Sequence, residues 1–531
     1  MMWQMVVCAS AVRLVGSLLA SLALALAVLR LRVVVCLWRR RTTFTGDQAK
    51  RTLAFLHPYA NDGGGGERVL WVAIREAVAR GVADPTYWRV VVYTGDSASD
   101  ADIRAHAAAR FGVHVPEHVE FVRLSLRGWI EPKRYPVATL LGQALGSMIL
   151  AAEAVACDPP DVLLDTTGLH FCLPLLRLLG VPRLVCYVHY PLVSADMLRV
   201  VAARKAAHNN AAVFARSAVG AALKYTYYRV LIGLYRRAGR CSDAVLANGS
   251  WTARHLRELW GVKPALVFPP CDTRQLQALP LHPPPFVPTA ATAVLAATLP
   301  PAALQREGGG RGRLVLSVAQ FRPEKDHAMQ IRAFARLLQA WQASGAPAPR
   351  PTLVLAGAVR HDADRARLEA LRALAAKLLQ DTEASHVAAA DAHGAGRSGA
   401  LDGAILFAPN LSMGELHALF GRAAVGLHTM WNEHFGIGVV EMLAAGVATI
   451  AHRSGGPAED IIADGDGSVG LLASDDTEYA DAMEALLLAP GADARRAAMG
   501  AAGRASVSAR FSEEAFGDAL CAALRMVVCD A

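Results

Sequence analysis

The pattern of apolar and polar positions divides this chain into three regimes. Leu14 to Leu29 is uninterrupted apolar or small, and Arg13 alone breaks the wider run from Val6, so the stretch is long enough to cross a bilayer as one helix. Behind it lie two stretches in which short apolar runs alternate with helical periodicity, the pattern of a parallel α/β sheet wound by crossover helices. The first predicts strands at Arg51–His57, Arg89–Tyr93, His118–Arg123, Asp161–Leu164, Arg183–Val188 and Ala244–Ala247. The second predicts strands at Leu314–Ala319, Thr352–Ala356, Ala404–Ala408, Val425–His428 and Val447–Ala451. Between them, Leu281 to Gly310 is rich in Pro, Ala and Gly and reads as a linker or loop insertion. The expected order is a membrane anchor over 6–37, an α/β domain over 51–273, a linker over 274–312, a second α/β domain over 313–511 and a terminal helix over 512–531.

Three segments stand apart from this pattern. Val137 to Cys157 fits a buried core helix better than a membrane contact, which its apolar character leaves open, and its Gly142 and Gly146 suit close helix packing. Ala211 to Arg237 mixes Phe214, Tyr225, Tyr227, Tyr228 and Tyr235 with Lys224, Arg229, Arg236 and Arg237, and its pattern leaves core and membrane-interface readings open. The low-complexity patch Ala388 to Gly403 reads as an exposed loop.

Composition and charge narrow the class. Of 531 residues, 53% are hydrophobic and 19% charged, too apolar for a disordered chain. A formal charge of +8 suits anionic lipid, a sugar nucleotide or nucleic acid. No nucleic-acid motif or zinc spacing is present, so nucleic acid is not an expected partner. The nine cysteines are odd in number and form no Cys-x-x-Cys pair, as suits a reducing compartment. Arg30, Arg32, Arg39, Arg40 and Arg41 follow the apolar run against a single Arg13 before it, which places the remainder on the cytosolic side. A cleaved signal peptide is the competing reading, but no convincing small-residue cleavage site lies near. Asn248-Gly249-Ser250 and Asn410-Leu411-Ser412 match the glycosylation acceptor pattern and are expected to stay unmodified in the cytosol.

Four motifs carry candidate chemistry. Glu433-His434-Phe435-Gly436-Ile437-Gly438-Val439-Val440-Glu441 sets two carboxylates around a glycine turn that opens a helix, suited to a diphosphate on backbone N–H groups and to sugar hydroxyls on the acids. Alone, two acids at that spacing describe many ordinary helices. Gly63, Gly64, Gly65 and Gly66 follow the first strand and make a side-chain-free surface for a diphosphate or an acceptor sugar, although they match neither a Walker loop nor G-x-G-x-x-G. Arg322 and Lys325 follow the first strand of the second domain, where open α/β sheets bind ligands, and two cations there suit a diphosphate leaving group. His189 ends the strand Arg183–Val188 and can meet a sugar hydroxyl, against the commoner structural role of a lone histidine. Asp-x-Asp spellings at Asp100/Asp102, Asp362/Asp364 and Asp464/Asp466 fall in polar, turn-like stretches away from the strand ends, so no metal site is assigned.

Taken together, His57-Pro58-Tyr59 with Gly63 to Val69, Tyr187 to Pro191, Gln320 to Lys325 and His428 to Glu441 resemble the dolichol-pathway GDP-mannose-dependent α-1,2-mannosyltransferases, over roughly Leu53 to Phe511. The resemblance implies a GT-B fold of two facing Rossmann-like domains, with the acceptor mainly on the first, the nucleotide mainly on the second and the reaction in the cleft. It implies GDP-mannose as donor, trimannosyl chitobiose diphosphodolichol as acceptor and two α-1,2 transfers with retention, at the endoplasmic reticulum membrane beside other early mannosyltransferases of the pathway. By the same resemblance Glu441 meets the ribose hydroxyls and Glu433 the donor sugar. Phe435, Gly436, Ile437 and Gly438 offer backbone to the donor, Lys325 offsets diphosphate charge, and His189 lies near the transferred sugar. The family's usual second cation falls at Gln320 here, so that role passes to Arg322. No cofactor is implied beyond the donor, and Lys and Arg make a metal unnecessary. Two alternatives stay open: another GT-B lipid-linked glycosyltransferase with a different donor or acceptor, and a non-catalytic scaffold of that fold.

Overall fold

The computed structural model describes residues 2–43, 49–192, 218–289, 311–344, 349–391 and 403–528, with positions 292, 295, 297, 299, 304 and 401. The chain divides into two units: Met1–Asn248, Thr252–Val267 and Gly517–Ala531 form the first, and Gly249–Trp251 with Phe268–Phe516 the second.

In the first unit seven parallel strands lie in the order β3-β2-β1-β4-β5-β6-β7. They are β1 (Arg51–Leu56), β2 (Trp88–Thr94), β3 (Glu120–Arg123), β4 (Val162–Asp165), β5 (Arg183–Val188), β6 (Ala244–Ala247) and β7 (Ala265–Leu266). Only the two-residue β7 has no counterpart among the expected strands, being too short for any apolar run to reveal. Strands β1, β4 and β5 are buried almost throughout, which is why they read as continuous apolar runs rather than alternating ones. The order reverses at β1/β4, and their register pairs Leu56 with Asp165, so the residues after both strands emerge at one switch point.

Helix α1 (Met2–Thr42) runs five residues beyond the expected anchor boundary at 37. From Val15 on, its apolar part is almost wholly exposed within the unit, whereas Val33 and Leu37 join the core beside Leu150, Ala154 and Leu176. Arg40 Nη1 donates to Asp161 Oδ2 at 3.0 Å and to the carbonyl of Pro159, and its other nitrogen meets Asp158. The last turns of the anchor are therefore part of the folded unit, and Arg40, one arginine of the basic cluster after the apolar run, is a buried structural cation. Helices α2 (Gly65–Ala79) and α3 (Asp100–Phe111) follow β1 and β2. Asp100 and Asp102 stand in the first turn of α3, where Asp100 pairs with Arg123 and Asp102 bonds Ser99, so this Asp-x-Asp is part of a helix start rather than of a turn.

Helix α4 (Thr139–Cys157) buries Ala144, Ser147, Leu150, Ala151, Ala154 and Val155 in the core, as expected for a core helix. It is also long and apolar enough to cross a membrane by length and composition, and leaves Leu141, Leu145 and Ile149 exposed along one edge. Helix α5 (Leu173–Leu179) ends at Gly180, whose φ of +96° only glycine adopts easily and where a Cβ would sit 3.2 Å from Val34 of the anchor. The aromatic-basic segment is helical over Ala218–Gly239 and buries Tyr228, Leu231 and Tyr235, a helical stripe in the core; its positions 211–217, with Phe214, lie outside the described residues. The terminal helix Glu513–Val528 returns to α2, where Arg80 pairs with Asp518.

The second unit repeats the plan with six parallel strands ordered β10-β9-β8-β11-β12-β13. These are β8 (Leu314–Val318), β9 (Thr352–Gly357), β10 (Ile405–Pro409), β11 (Val425–His428), β12 (Ala448–His452) and the unexpected three-residue β13 (Leu471–Ala473). Two sequence expectations change here. Within the linker stretch, Leu295, Leu299 and Leu304 are buried against Leu314, Phe420 and Leu443, so the stretch supplies core rather than a free tether. The helix Asp362–Asp391 takes in the first residues of the low-complexity patch, and Leu401 is fully buried, while positions 392–400 and 402 lie outside the described residues.

Candidate active site

In the second unit the order reverses at β8/β11, and the candidate residues gather there. After β8, the 3-10 turn Pro323–Lys325 ends at Asp326, whose left-handed backbone (φ +43°) reverses the chain and whose side chain caps the helix His327–Ala343 at Met329 N–H. After β11, Thr429 Oγ1 donates to the carbonyl of Lys325 at 2.7 Å and accepts from Gln330 Nε2 at 2.8 Å, tying the two loops together. This lock sets Lys325 Nζ 2.6 Å from Glu433 Oε2 and 3.0 Å from Met430 Sδ. His428 Nε2 donates to the same carboxylate oxygen at 3.3 Å.

Glu433 is mostly buried, and burial alone pushes its pKa up. The hydrogen bond and charge of His428 and the charge of Lys325 outweigh that and hold it down, at about 2. The group is thus a fixed anion at any physiological pH, neither a proton donor nor a strong base.

The turn itself rests on glycines beyond those the motif displays. Gly456 N–H donates to the carbonyl of Glu433 at 2.8 Å, and a Cβ on Gly455 would fall 2.2 Å from that oxygen. The pair Gly455-Gly456 was legible as consecutive glycines after β12, but nothing in its spelling linked it to Glu433. Asn432 (φ +51°) and Gly436 (φ +110°) bend the chain in left-handed conformations before the helix Ile437–Ala444.

The Phe435 side chain is core, stacked on Phe268 with ring centroids 5.8 Å apart, so only its backbone is placed to meet a ligand. On Gly438 a Cβ would sit 3.7 Å from the carbonyl of Val318 at the end of β8, and Glu441, three residues on, shares that helical face and is half-buried. Arg322 is not drawn into the cluster. Its side chain is substantially exposed and its ion-pair partner among the described residues is Glu324, at 4.0 Å.

In the first unit the switch-point loops are joined through Thr166, which follows β4. His57 Nδ1, after β1, lies 2.8 Å from Thr166 Oγ1, and His189 Nε2, after β5, lies 3.0 Å from the carbonyl of Thr166. A nitrogen bonded to a carbonyl must carry the proton, so Nδ1 of His189 holds a lone pair able to accept from a hydroxyl. Burial lowers the pKa of His189, and the carbonyl bond offsets this only in part, so the ring is neutral. His57 is pushed down to about 3 by burial and then by His189.

Both rings border the glycine run: a Cβ on Gly66 would lie 3.7 Å from His57 Cε1 and 3.9 Å from His189 Nε2. Gly63 takes φ +80°, Gly64 caps α2, and Glu67 folds back over Gly64 as a buried carboxyl. His57 and Thr166 are the residues that sequence reasoning did not single out. His57 was visible within its motif, whereas Thr166 carries no spelling that marks it.

Two doubly wound parallel sheets, each gathering its candidate residues at the ends of its central strands, match the GT-B fold. The solved structures agree on the fold. A trehalose-phosphate synthase (UDP-forming) from Burkholderia vietnamiensis aligns with TM-score 0.59 at 17% identity, covering 91% of this chain and 100% of its own. Anabaena HepE in complex with UDP and glucose aligns with TM-score 0.53 at 15% identity, covering 90% and 100%. Residues 50–260 match the family described as ALG11 mannosyltransferase N-terminus, and residues 399–506 match glycosyl transferases group 1.

Among curated relatives, the GDP-Man:Man(3)GlcNAc(2)-PP-Dol alpha-1,2-mannosyltransferase of Mus musculus is 38% identical over 92% of both chains. That of Homo sapiens is 38% identical over 91% of this chain and 90% of its own, and that of Dictyostelium discoideum 37% over 83% and 78%. Near-full-length identity at this level places the chain in the family of GDP-Man:Man(3)GlcNAc(2)-PP-Dol alpha-1,2-mannosyltransferases.

Proposed function

We propose that this chain transfers two α-1,2-linked mannoses in succession from GDP-mannose to Man3GlcNAc2 diphosphodolichol, with retention at the anomeric carbon. The observation that carries the reading is the Lys325–Glu433 pair at the β8/β11 switch point, whose Glu433 lies inside the segment 399–506 that matches glycosyl transferases group 1. In this reading the C1–O bond to the diphosphate breaks and its electron pair leaves with GDP. Lys325 and backbone N–H groups at the start of the helix Ile437–Ala444 stabilise that charge, and Glu441 takes the ribose hydroxyls. The acceptor 2-hydroxyl attacks C1 from the same face, and its proton passes to the departing diphosphate oxygen.

Glu433, held as an anion by Lys325 and His428, lies against the positive charge developing on the sugar. Its role in this proposal is electrostatic, with the acceptor attacking on the leaving-group face. Neutral His189 accepts a hydroxyl proton in hydrogen bonding through Nδ1. Arg322 serves as the second cation once a diphosphate competes for it with Glu324. Metal is not part of this scheme.

In this proposal α1, long and apolar enough to cross a membrane, anchors the enzyme in the endoplasmic reticulum with both units on the cytosolic face, alongside other early mannosyltransferases of the pathway; the arginines that follow the apolar run support that orientation. The test is transfer from GDP-mannose to the trimannosyl lipid by the full-length chain in detergent or nanodiscs. Growth by two α-1,2-mannosidase-sensitive units is expected; no growth by a folded protein, or growth from UDP-N-acetylglucosamine instead, defeats the assignment.

A further inference from the structure

A lipid-linked acceptor of the kind proposed above has three chemically different parts, namely a saccharide, a diphosphate and a polyprenyl chain. The first unit offers a surface suited to each, side by side. The 3-10 turns Ser125–Ile130 and Pro132–Arg134 form a strap pressed onto α4. Close approach is possible because α4 carries glycine at the contacts: a Cβ on Gly146 would fall 1.9 Å from the carbonyl oxygen of Trp129, and one on Gly142 2.3 Å from the Tyr135 ring. Gln143 Nε2 closes the seam by donating to the carbonyl of Ile130 at 2.9 Å.

Successive strap residues face different cavities. Glu131, Lys133 and Arg134 line an open concavity of about 610 Å³ with Arg127, while Ile130 and Pro132 line a second one of about 310 Å³. In the first, Arg127 is already paired with Asp96 at 2.6 Å, and Glu131 accepts from Tyr59 Oη at 3.0 Å. Lys133 and Arg134 are exposed, have no carboxylate partner among the described residues, and Arg134 is held flat by Trp129, its guanidinium carbon 3.9 Å from a ring centroid. The smaller cavity is walled by Tyr59, Gln143, Thr167, Phe171 and Tyr190. Aromatic faces with an amide and a hydroxyl suit sugar rings, and Thr167 and Tyr190 adjoin Thr166 and His189. On the far side of the strap, Leu141, Leu145 and Ile149 form the exposed apolar edge of α4, a helix against which the last turns of the anchor also pack.

We propose that Lys133 and Arg134 bind the diphosphate of the lipid-linked acceptor, with its saccharide in the Tyr59–Gln143–Tyr190 cavity and its lipid along the Leu141–Leu145–Ile149 edge. This rests on the mannosyltransferase reading above. A diphosphate carries more than one negative charge, and a lysine beside a pre-oriented arginine is a natural partner for it. Anionic lipid headgroups share that chemistry, so the experiment must separate the two.

Full-length wild type, Lys133→Ala/Arg134→Ala and the charge-conserving Lys133→Arg/Arg134→Lys are compared in phosphatidylcholine nanodiscs with two acceptors. One is the trimannosyl chitobiose on a diphospholipid, the other the same saccharide on a neutral alkyl glycoside. The double-alanine variant is expected to raise KM for the diphospholipid about tenfold or more. KM for GDP-mannose and transfer to the neutral acceptor should change less than about twofold, and the charge-conserving variant should recover most of the loss. An unchanged KM, or equal losses on both acceptors, overturns the proposal. So does a defect seen only as weaker flotation with phosphatidylserine vesicles, which would assign the cations to headgroups. A wild type that transfers mannose to neither acceptor would overturn the mannosyltransferase reading itself, and this inference with it.

Discussion

Lys325 Nζ and Glu433 Oε2 stand 2.6 Å apart although 108 positions separate them in the chain, one after β8 and the other after β11. The contact joins the two loops that flank the switch point of the second sheet, and it is kept in place by Thr429 bonding the carbonyl of Lys325. Glu433 also depends on Lys325 electrostatically, since the charge of Lys325 is one of the causes that hold its pKa down at about 2.

Removing the lysine should therefore affect both chemistry and the anion beside it. Lys325→Ala is expected to lower kcat about 10²- to 10³-fold, the cost of deleting one preorganised charge-stabilising donor. Glu433→Gln keeps the shape and removes the charge, and is expected to cost at least about tenfold in kcat with the protein folded. Steady-state transfer kinetics with a thermal melt of each variant check this; a near-wild-type kcat in Lys325→Ala rules the lysine out of the chemistry.

Gly66→Ala separates stability from function. The added methyl would make only ordinary contacts with His57 and His189, and alanine is the better helix former by about 0.5–1 kcal/mol. The variant is expected to melt no lower than wild type while transferring substantially less, because the methyl occupies ligand space between two histidines. Lost activity accompanied by a large drop in melting temperature would make the glycine structural instead.

The anchor's end offers a stability test. Asp161 is fully buried and takes Arg40 on one oxygen and Arg41 on the other, while also accepting Thr52 N–H at 2.9 Å. Arg40→Ala leaves a buried carboxylate short of its main cation, an effect of about 3–5 kcal/mol. Arg41, with 46% of its side chain exposed, should contribute about 1 kcal/mol or less. Chemical or thermal unfolding in detergent distinguishes them, and equal effects would contradict the buried-pair account.

Acid should destabilise the fold well before Glu433 titrates. Burial holds His57 and His170 down at about 3 and His327 at about 4, so between those values and the unfolded value near 6.5 the unfolded chain binds more protons and stability falls as pH drops. At pH 5 each such histidine costs about 2 kcal/mol. Asp165, raised to about 6 by burial, acts in the opposite sense over a narrower window. A melting temperature several degrees lower at pH 5 than at pH 7.5 is expected, and a flat or rising profile would refute it.

Topology has its own reporter. Asn248 is buried in the folded unit, whereas Asn410 is exposed and follows β10. With both units in the cytosol, Asn410 stays unmodified and endoglycosidase leaves the electrophoretic mobility unchanged. A shift on treatment that disappears in Asn410→Gln would reverse the orientation.

Much of this was legible in the chain. Buried parallel strands read as apolar runs because both faces are covered, which is why β1, β5, β8 and β11 were placed nearly to the residue, while β7 and β13 were too short to leave a pattern. Glu433, Lys325, His189 and the glycine run stood out because each follows a strand end, a position local sequence can reveal. Tertiary structure alone decided which of them touch. It tied His57 to His189 through Thr166, drew Glu433 onto Lys325 and left Arg322 to Glu324, and buried Arg40 with Asp161 where the sequence showed only a basic cluster after the apolar run. The physical reason is that periodicity records whether a side chain faces apolar core or water. The partner of a charge is set by which strands lie adjacent, and the order β2-β1-β4-β5 is a property of the whole sheet that no local window contains.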